Sequence, residues 1–223
     1  MVTYVTAVRH SERPVLDVLA AERLVAVTVL EDSNSASSLA AALLAGGLRC
    51  VEVTLRTDSA VTTIAAMAAT EGLVVGAGTV LSVAQADQAM DAGAQFVVSP
   101  GFNADVVRRC QDRGIAVFPG VATATDIQMA LAAGVDTVKF FPAELLGGVA
   151  MVKALAAPFR SIRFIPTGGV DISNAGAYLA LPSVIAVGGT WMVPPALLNA
   201  GDWAGVEELT RAAVTATRGG AGA

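Results

Sequence analysis

Residues 35–55 read SASSLAAALLAGGLRCVEVTL and hold one complete structural unit. Ala36, Leu39, Ala40, Leu43 and Leu44 recur at the spacing of a helix with one apolar face. Ala45-Gly46 ends that periodicity, and residues 50–55 follow as a short β-rich run. Glycine just past a helix end takes the left-handed conformation at little cost, so Ala45-Gly46 marks a helix-to-strand turn.

The same punctuation returns at Ala92-Gly93 before residues 95–99 and at Ala133-Gly134 before 136–141, with Gly114 before 115–118 as a variant. Helical stripes fit 82–91, 104–113, 125–132 and 149–156. Strand candidates fall near 24–30, 50–55, 73–76, 95–98, 115–118, 136–141, 162–165 and 184–188. Eight strands alternating with helices in about 200 residues predict an α/β fold, a (β/α)8 barrel of the TIM type with short loops. An open doubly wound sheet is the structural alternative. Residues 14–21 predict an additional N-terminal helix that closes the barrel's bottom. No linker-like or low-complexity segment interrupts the interior, so residues 1–223 read as a single domain, with 1–12 and 216–223 as flexible ends.

The hydrophobic share is 54%. No apolar run approaches the roughly 18 to 20 residues of a spanning helix, and the N-terminus carries no basic-then-apolar leader. A protein of the cytoplasm, with no membrane partner, is expected. The net charge of −5, without a Lys/Arg block, argues against nucleic acid as a partner. Cys50 and Cys110 make no disulfide framework and read as buried small hydrophobes. The single histidine, His10, precedes the first strand, which argues against a His-based zinc site, a Ser-His-Asp triad and a His general base together. Catalysis must rest on Lys, Glu, Asp, Arg or hydroxyls.

In a barrel, functional groups sit at the C-terminal ends of the strands. Alternation in the run 52–57 (EVTLRT) puts Glu52, Thr54 and Arg56 on one face, the carboxylate in an apolar interior and the guanidinium at its mouth. A structural Glu–Lys or Glu–Arg pair is the bland reading of that glutamate. Lys139 lies among Val138, Phe140 and Phe141, and an apolar setting favours a neutral amine able to attack a carbonyl. The acids near it in sequence are poor partners: Asp136 is at the strand's other end, and Glu144 follows Pro142. Thr167-Gly168-Gly169 and Gly188-Gly189-Thr190 end the last two strands, where barrels commonly hold phosphate through backbone N–H groups. A buried amine, a carboxylate, an arginine and a phosphate cradle together suit imine chemistry on a phosphorylated keto acid.

These runs also resemble a known family. EVTLRT (52–57), GAGTV (76–80), Ser99-Pro100-Gly101, Pro119-Gly120-Val121, KFFPAE (139–144), PTGG (166–169) and GGTW (188–191) are similar to 2-keto-3-deoxy-6-phosphogluconate aldolases, also described as 4-hydroxy-2-oxoglutarate aldolases. The resemblance runs in order from about residue 15 to 210. It implies a homotrimeric (β/α)8 barrel that works without metal or cofactor. Lys139 would be the Schiff-base lysine and Glu52 the acid/base acting through water. Arg56 and Thr79 would bind the pyruvate carboxylate, Phe141 would wall the pocket, and Thr167 would position the rest of the substrate. Gly168, Gly169, Gly189 and Thr190 would take the phosphate.

The departures bear on substrate range: Thr190 stands where the family often has Ser, Val25-Ala26-Val27 where many members have Val-Pro-Val, and Leu145-Leu146 where smaller or polar residues are usual. The competing readings are a galactonate-type aldolase, which typically has Val in place of Thr167, a phosphosugar isomerase or epimerase, and a non-catalytic phosphosugar-binding barrel. The second usually needs His or metal ligands, and the third would leave Lys139 and Glu52 idle.

Overall fold

The computed structural model describes residues 13–218; His10, the rest of the 1–12 end and residues 219–223 lie outside them. Helix α1 (Arg13–Glu22) leads into β1 (Leu24–Thr28), α2 (Ala36–Ala45) and β2 (Cys50–Thr54). Then come α3 (Ala60–Ala68), β3 (Val74–Gly78), α4 (Val83–Asp91), β4 (Phe96–Val98) and α5 (Ala104–Asp112). The middle holds β5 (Ala116–Phe118), β6 (Gly120–Val121), α6 (Ala124–Ala132), β7 (Thr137–Phe140) and α7 (Gly148–Ala156). The chain continues with β8 (Arg163–Pro166), α8 (Ala175–Leu179), β9 (Val187–Gly189), α9 (Pro195–Ala200) and α10 (Trp203–Arg218).

All named strand pairs are parallel. One sheet runs β5-β4-β3-β2-β1-β9 and the other β6-β7-β8. The fifth strand candidate, 115–118, is β5, and β6 is a further short strand beyond it. Only Pro119 separates β5 from β6, and a proline ring gives the ladder no N–H. Its carbonyl still accepts from the Lys139 N–H at 3.0 Å. Isolated bridges Phe164↔Val184 and Thr167↔Gly188 tie β8 to the β9 segment.

Alternation along these strands separates two cores. Val51, Val53, Val97, Val117, Val138 and Phe140 pack with the helices in the larger one. Val25, Cys50, Phe96, Val98, Phe118 and Ile165 face the other way, where Val15, Leu16 and Leu19 of α1 join them. On β2 and β7 this period of two leaves Glu52 and Lys139 on that second face, nearer the C-terminal ends. The caps are polar: Thr123 and Asp126 form a reciprocal capping box on α6, and Asn103 caps α5.

The glycine punctuation needs one correction. Gly93, Gly114 and Gly134 take positive φ as expected, but Gly46 stays helical at φ −73° and Gly47 makes the turn at φ 89°. Gly46 serves a close approach instead: a Cβ there would lie 2.5 Å from the Thr210 Cβ on α10. Helix α10 also continues through Arg218, into the stretch read from sequence as loose, because Thr217 is buried and Arg218 pairs with the buried Glu22. Among the described residues, no helix is long and apolar enough to cross a membrane.

Candidate active site

Strand β2 supplies Glu52 and β7 supplies Lys139; the Lys139 Nζ donates to Glu52 Oε1 at 2.9 Å. Only 4% of Glu52 and 7% of Lys139 is exposed. The lysine is therefore not the lone amine that its sequence neighbours portray. Its acid arrives from a strand 87 residues away, while Asp136 is held by Arg163 at 2.8 Å and Glu144 by Tyr178. Room for the carboxylate comes from β3, where a Cβ on Gly78 would sit 2.1 Å from Glu52 Oε1. A pair this buried is weak evidence for stability, since desolvation offsets much of the attraction, but losing one partner strands the other charge.

The pair opens into a cavity of about 350 Å³. All ten residues singled out by sequence line it: Glu52, Arg56, Thr79, Lys139, Phe141, Thr167, Gly168, Gly169, Gly189 and Thr190. The Phe141 ring centroid lies 5.3 Å from Lys139 Nζ, within cation–π range. Arg56 reaches the cavity from a turn past the end of β2, exposed, so strand alternation does not place it as it places Glu52 and Thr54. Thr79 has φ 59°, a strained conformation for a β-branched residue, on the loop leaving β3. Gly168 and Gly169 have φ 98° and 79°. Gly188 lets Thr167 stand across from it, since a Cβ there would be 2.4 Å from Thr167 Oγ1.

Val27, Thr54, Pro100 and Val170 also line the cavity and were not assigned to it from sequence. Thr54 lay on the Glu52 face by alternation, and its hydroxyl is engaged with the Thr28 carbonyl at 3.0 Å. Pro100 belonged to a quoted motif without a role. Gly78 had no local signal, because its neighbour across β2 is known only once the register is known. Lys153 lies in a separate open groove with Arg160 and Arg163 and does not line this cavity. Among the described residues, no three His, Cys, Asp or Glu side chains gather as metal ligands.

The family model for KDPG and KHG aldolases matches residues 15–209. The chain belongs to the KDPG and KHG aldolase family. A 2-dehydro-3-deoxy-phosphogluconate aldolase of Treponema pallidum is 50% identical over 198 residues, 88% of this chain and 94% of the relative. The 2-keto-3-deoxy-6-phosphogluconate aldolase of Zymomonas mobilis, solved with 3-phosphoglycerate, superposes with a TM-score of 0.85 at 43% identity, covering 91% of this chain and 95% of that one. The KDPG aldolase of Legionella pneumophila, solved with pyruvate captured as a covalent carbinolamine, gives a TM-score of 0.85 at 37% identity, with 89% and 97% covered. The family match thus spans every strand that lines the cavity and both members of the buried pair.

Proposed function

We propose that this KDPG/KHG-family chain is a Schiff-base aldolase cleaving 2-keto-3-deoxy-6-phosphogluconate to pyruvate and glyceraldehyde 3-phosphate. The observation that carries the reading is the buried Lys139–Glu52 pair at 2.9 Å on the wall of the cavity. The Lys139 amine adds to the C2 ketone, and the carbinolamine loses water to give a protonated imine. As the C4 hydroxyl gives up its proton, the C3–C4 electron pair flows into the imine, releasing the aldehyde and leaving an enamine. Protonation at C3 and addition of water then free pyruvate and the amine. Glu52, directly or through one water, takes and returns these protons.

The cavity's remaining groups fit the two ends of such a substrate. Arg56 with Thr79 would hold the C1 carboxylate, for which the planar guanidinium fork is suited. Phe141 would wall the reacting carbons and Thr167 would face the hydroxyl-bearing chain. Gly168, Gly169, Gly189 and Thr190 would receive the phosphate through backbone N–H groups and a hydroxyl. The carbinolamine captured in the Legionella relative supports the lysine's role. The same machinery would accept the unphosphorylated 4-hydroxy-2-oxoglutarate, with weaker binding. We further infer one domain whose two sheets close as a (β/α)8 barrel with α1 across its lower end, active without added metal in the cytoplasm as a homotrimer.

Steady-state cleavage assays on the phosphogluconate-type acid, its galactonate-type epimer and 4-hydroxy-2-oxoglutarate, each with and without a chelator, test this reading. The gluconate-type acid should give the highest kcat/KM, unchanged by the chelator. A preference for the epimer would make the chain a galactonate-type aldolase, and no cleavage of any of the three would sink the assignment.

A further inference from the structure

We propose that Glu144, Tyr178 and Asn174 are positioning residues that hold the Gly168-Gly169 turn with its N–H groups facing the cavity, and so set the preference for a phosphorylated substrate. This rests on the aldolase reading and adds to it residues that touch neither the cavity nor the reacting atoms. Three consecutive carbonyls of the turn are engaged from behind. The Thr167 oxygen accepts from the Ala143 N–H at 2.9 Å and the Gly168 oxygen from the Glu144 N–H at 3.0 Å. The Gly169 oxygen accepts from the Asn174 side-chain amide, also at 3.0 Å. Within one trans peptide unit, C=O and N–H point in opposite directions. The N–H groups of Gly168, Gly169 and Val170 are therefore turned away from these partners, and all three residues line the cavity.

The Glu144 side chain forms the backing of this turn. A Cβ on Gly169 would lie 2.7 Å from both Cβ and Cγ of Glu144, so its stem lies directly beneath the glycine. The carboxylate end is fixed by Tyr178, whose fully buried side chain donates its hydroxyl to Glu144 Oε1. Burial, with that carboxylate, pushes the phenol's pKa up, which keeps the hydroxyl protonated and donating. Gly148 closes the other side: a Cβ there would meet Glu144 Oε1 at 3.1 Å and the Tyr178 hydroxyl at 3.3 Å. Asn174 is itself oriented, accepting from the Asp171 N–H at 2.9 Å while it donates to Gly169. Through Glu144 the strand that carries Lys139 is thus stitched to the turn that would receive phosphate.

Tyr178→Phe removes one oxygen and keeps the ring; Asn174→Ala, on a solvent-exposed contact, breaks the brace independently. Kinetics on the phosphorylated acid and on 4-hydroxy-2-oxoglutarate, with calorimetric binding of inorganic phosphate, read the effect. Each variant should raise KM for the phosphorylated acid and the phosphate Kd by roughly tenfold, the consequence of leaving one hydrogen-bonding partner unmade. Its kcat, its kinetics on the unphosphorylated acid and its trapping of pyruvate by borohydride should change little. Equal losses on both substrates would reduce these residues to general scaffolding, and an unchanged KM and phosphate Kd in both variants would overturn the proposal. Phosphate binding is read whether or not wild-type protein traps pyruvate, so failure of the brace and failure of the aldolase reading are distinguishable.

Discussion

Lys139 and Glu52 meet because two strands place side chains on the same inward face, and because Gly78 leaves space for the carboxylate. A methyl group at position 78 would occupy the volume of Glu52 Oε1, so the acid must move or the strands must part. Gly78→Ala should therefore behave as a displaced acid/base, lowering kcat with a smaller effect on the KM for keto acid. Glu52→Gln, which removes the proton-transfer group in place, should lower kcat by roughly 10²-fold or more. Stopped-flow or steady-state kinetics on the two variants check this, and wild-type turnover in either would move the proton role elsewhere. A lysine among apolar neighbours stood out in the sequence. Its pairing with Glu52 did not, since proximity across 87 residues depends on strand order and register.

At the scale of elements, Thr167 joins two of them: it follows β8 and bridges to Gly188 of β9. Its Oγ1 has only a long contact to the Ile165 carbonyl, 3.4 Å, which leaves the hydroxyl free to serve a substrate hydroxyl. Thr167→Val keeps the shape and deletes that group, at about 1–3 kcal/mol for an unpaired polar partner. Measured kcat/KM should fall for the gluconate-type acid and shift the ratio toward its epimer; an unchanged ratio would make Thr167 purely structural. Helix α1 offers a second test. Leu19 is completely buried and packs behind the Lys139–Glu52 pair with Val25, Phe96 and Phe118. Leu19→Ala should cost about 2–5 kcal/mol of stability in denaturant unfolding, the range for emptying a leucine site in a close-packed core. A loss of a few tenths would show that α1 is not part of the core. Helices α2, α4, α5, α6 and α7 and the α1 segment were legible before the structure, whereas the amphipathic α10 was not read. Helix α3, with Thr62, Thr63 and Ile64 in nine residues, and the short α8 and α9 carry little 3.6-residue signal, and the break at Pro119 follows from one ring.

Over the whole molecule, the first and last described helices are tied to each other, and each thiol is buried in a different one of the two cores. Glu22 at the end of α1 is nearly inaccessible and pairs with Arg49 at 2.8 Å and with Arg218 of α10. Both cysteines are free and buried. Burial, with the nearby Asp87 carboxylate, pushes the Cys110 thiol up to about 12, and burial raises Cys50 as well, with Glu22 and Glu52 adding to it. Neither forms thiolate near neutral pH, so a disulfide reagent should modify no cysteine in native protein and both after unfolding. Rapid native modification of either would mean that its surroundings open. The sequence carried the alternation of strands and helices and the residues of the cavity. How the two sheets join was out of its reach, because that depends on which edges meet.

The proposed reaction is covalent chemistry at one nitrogen. The chain contains two lysines, Lys139 buried in the cavity and Lys153 on a surface groove, so reductive trapping has a clear answer. Protein incubated with pyruvate and borohydride, then digested and mass-mapped, should carry one reduced pyruvate adduct on Lys139, absent from Lys139→Ala. An adduct on Lys153, or none on wild-type protein that is folded, would contradict it.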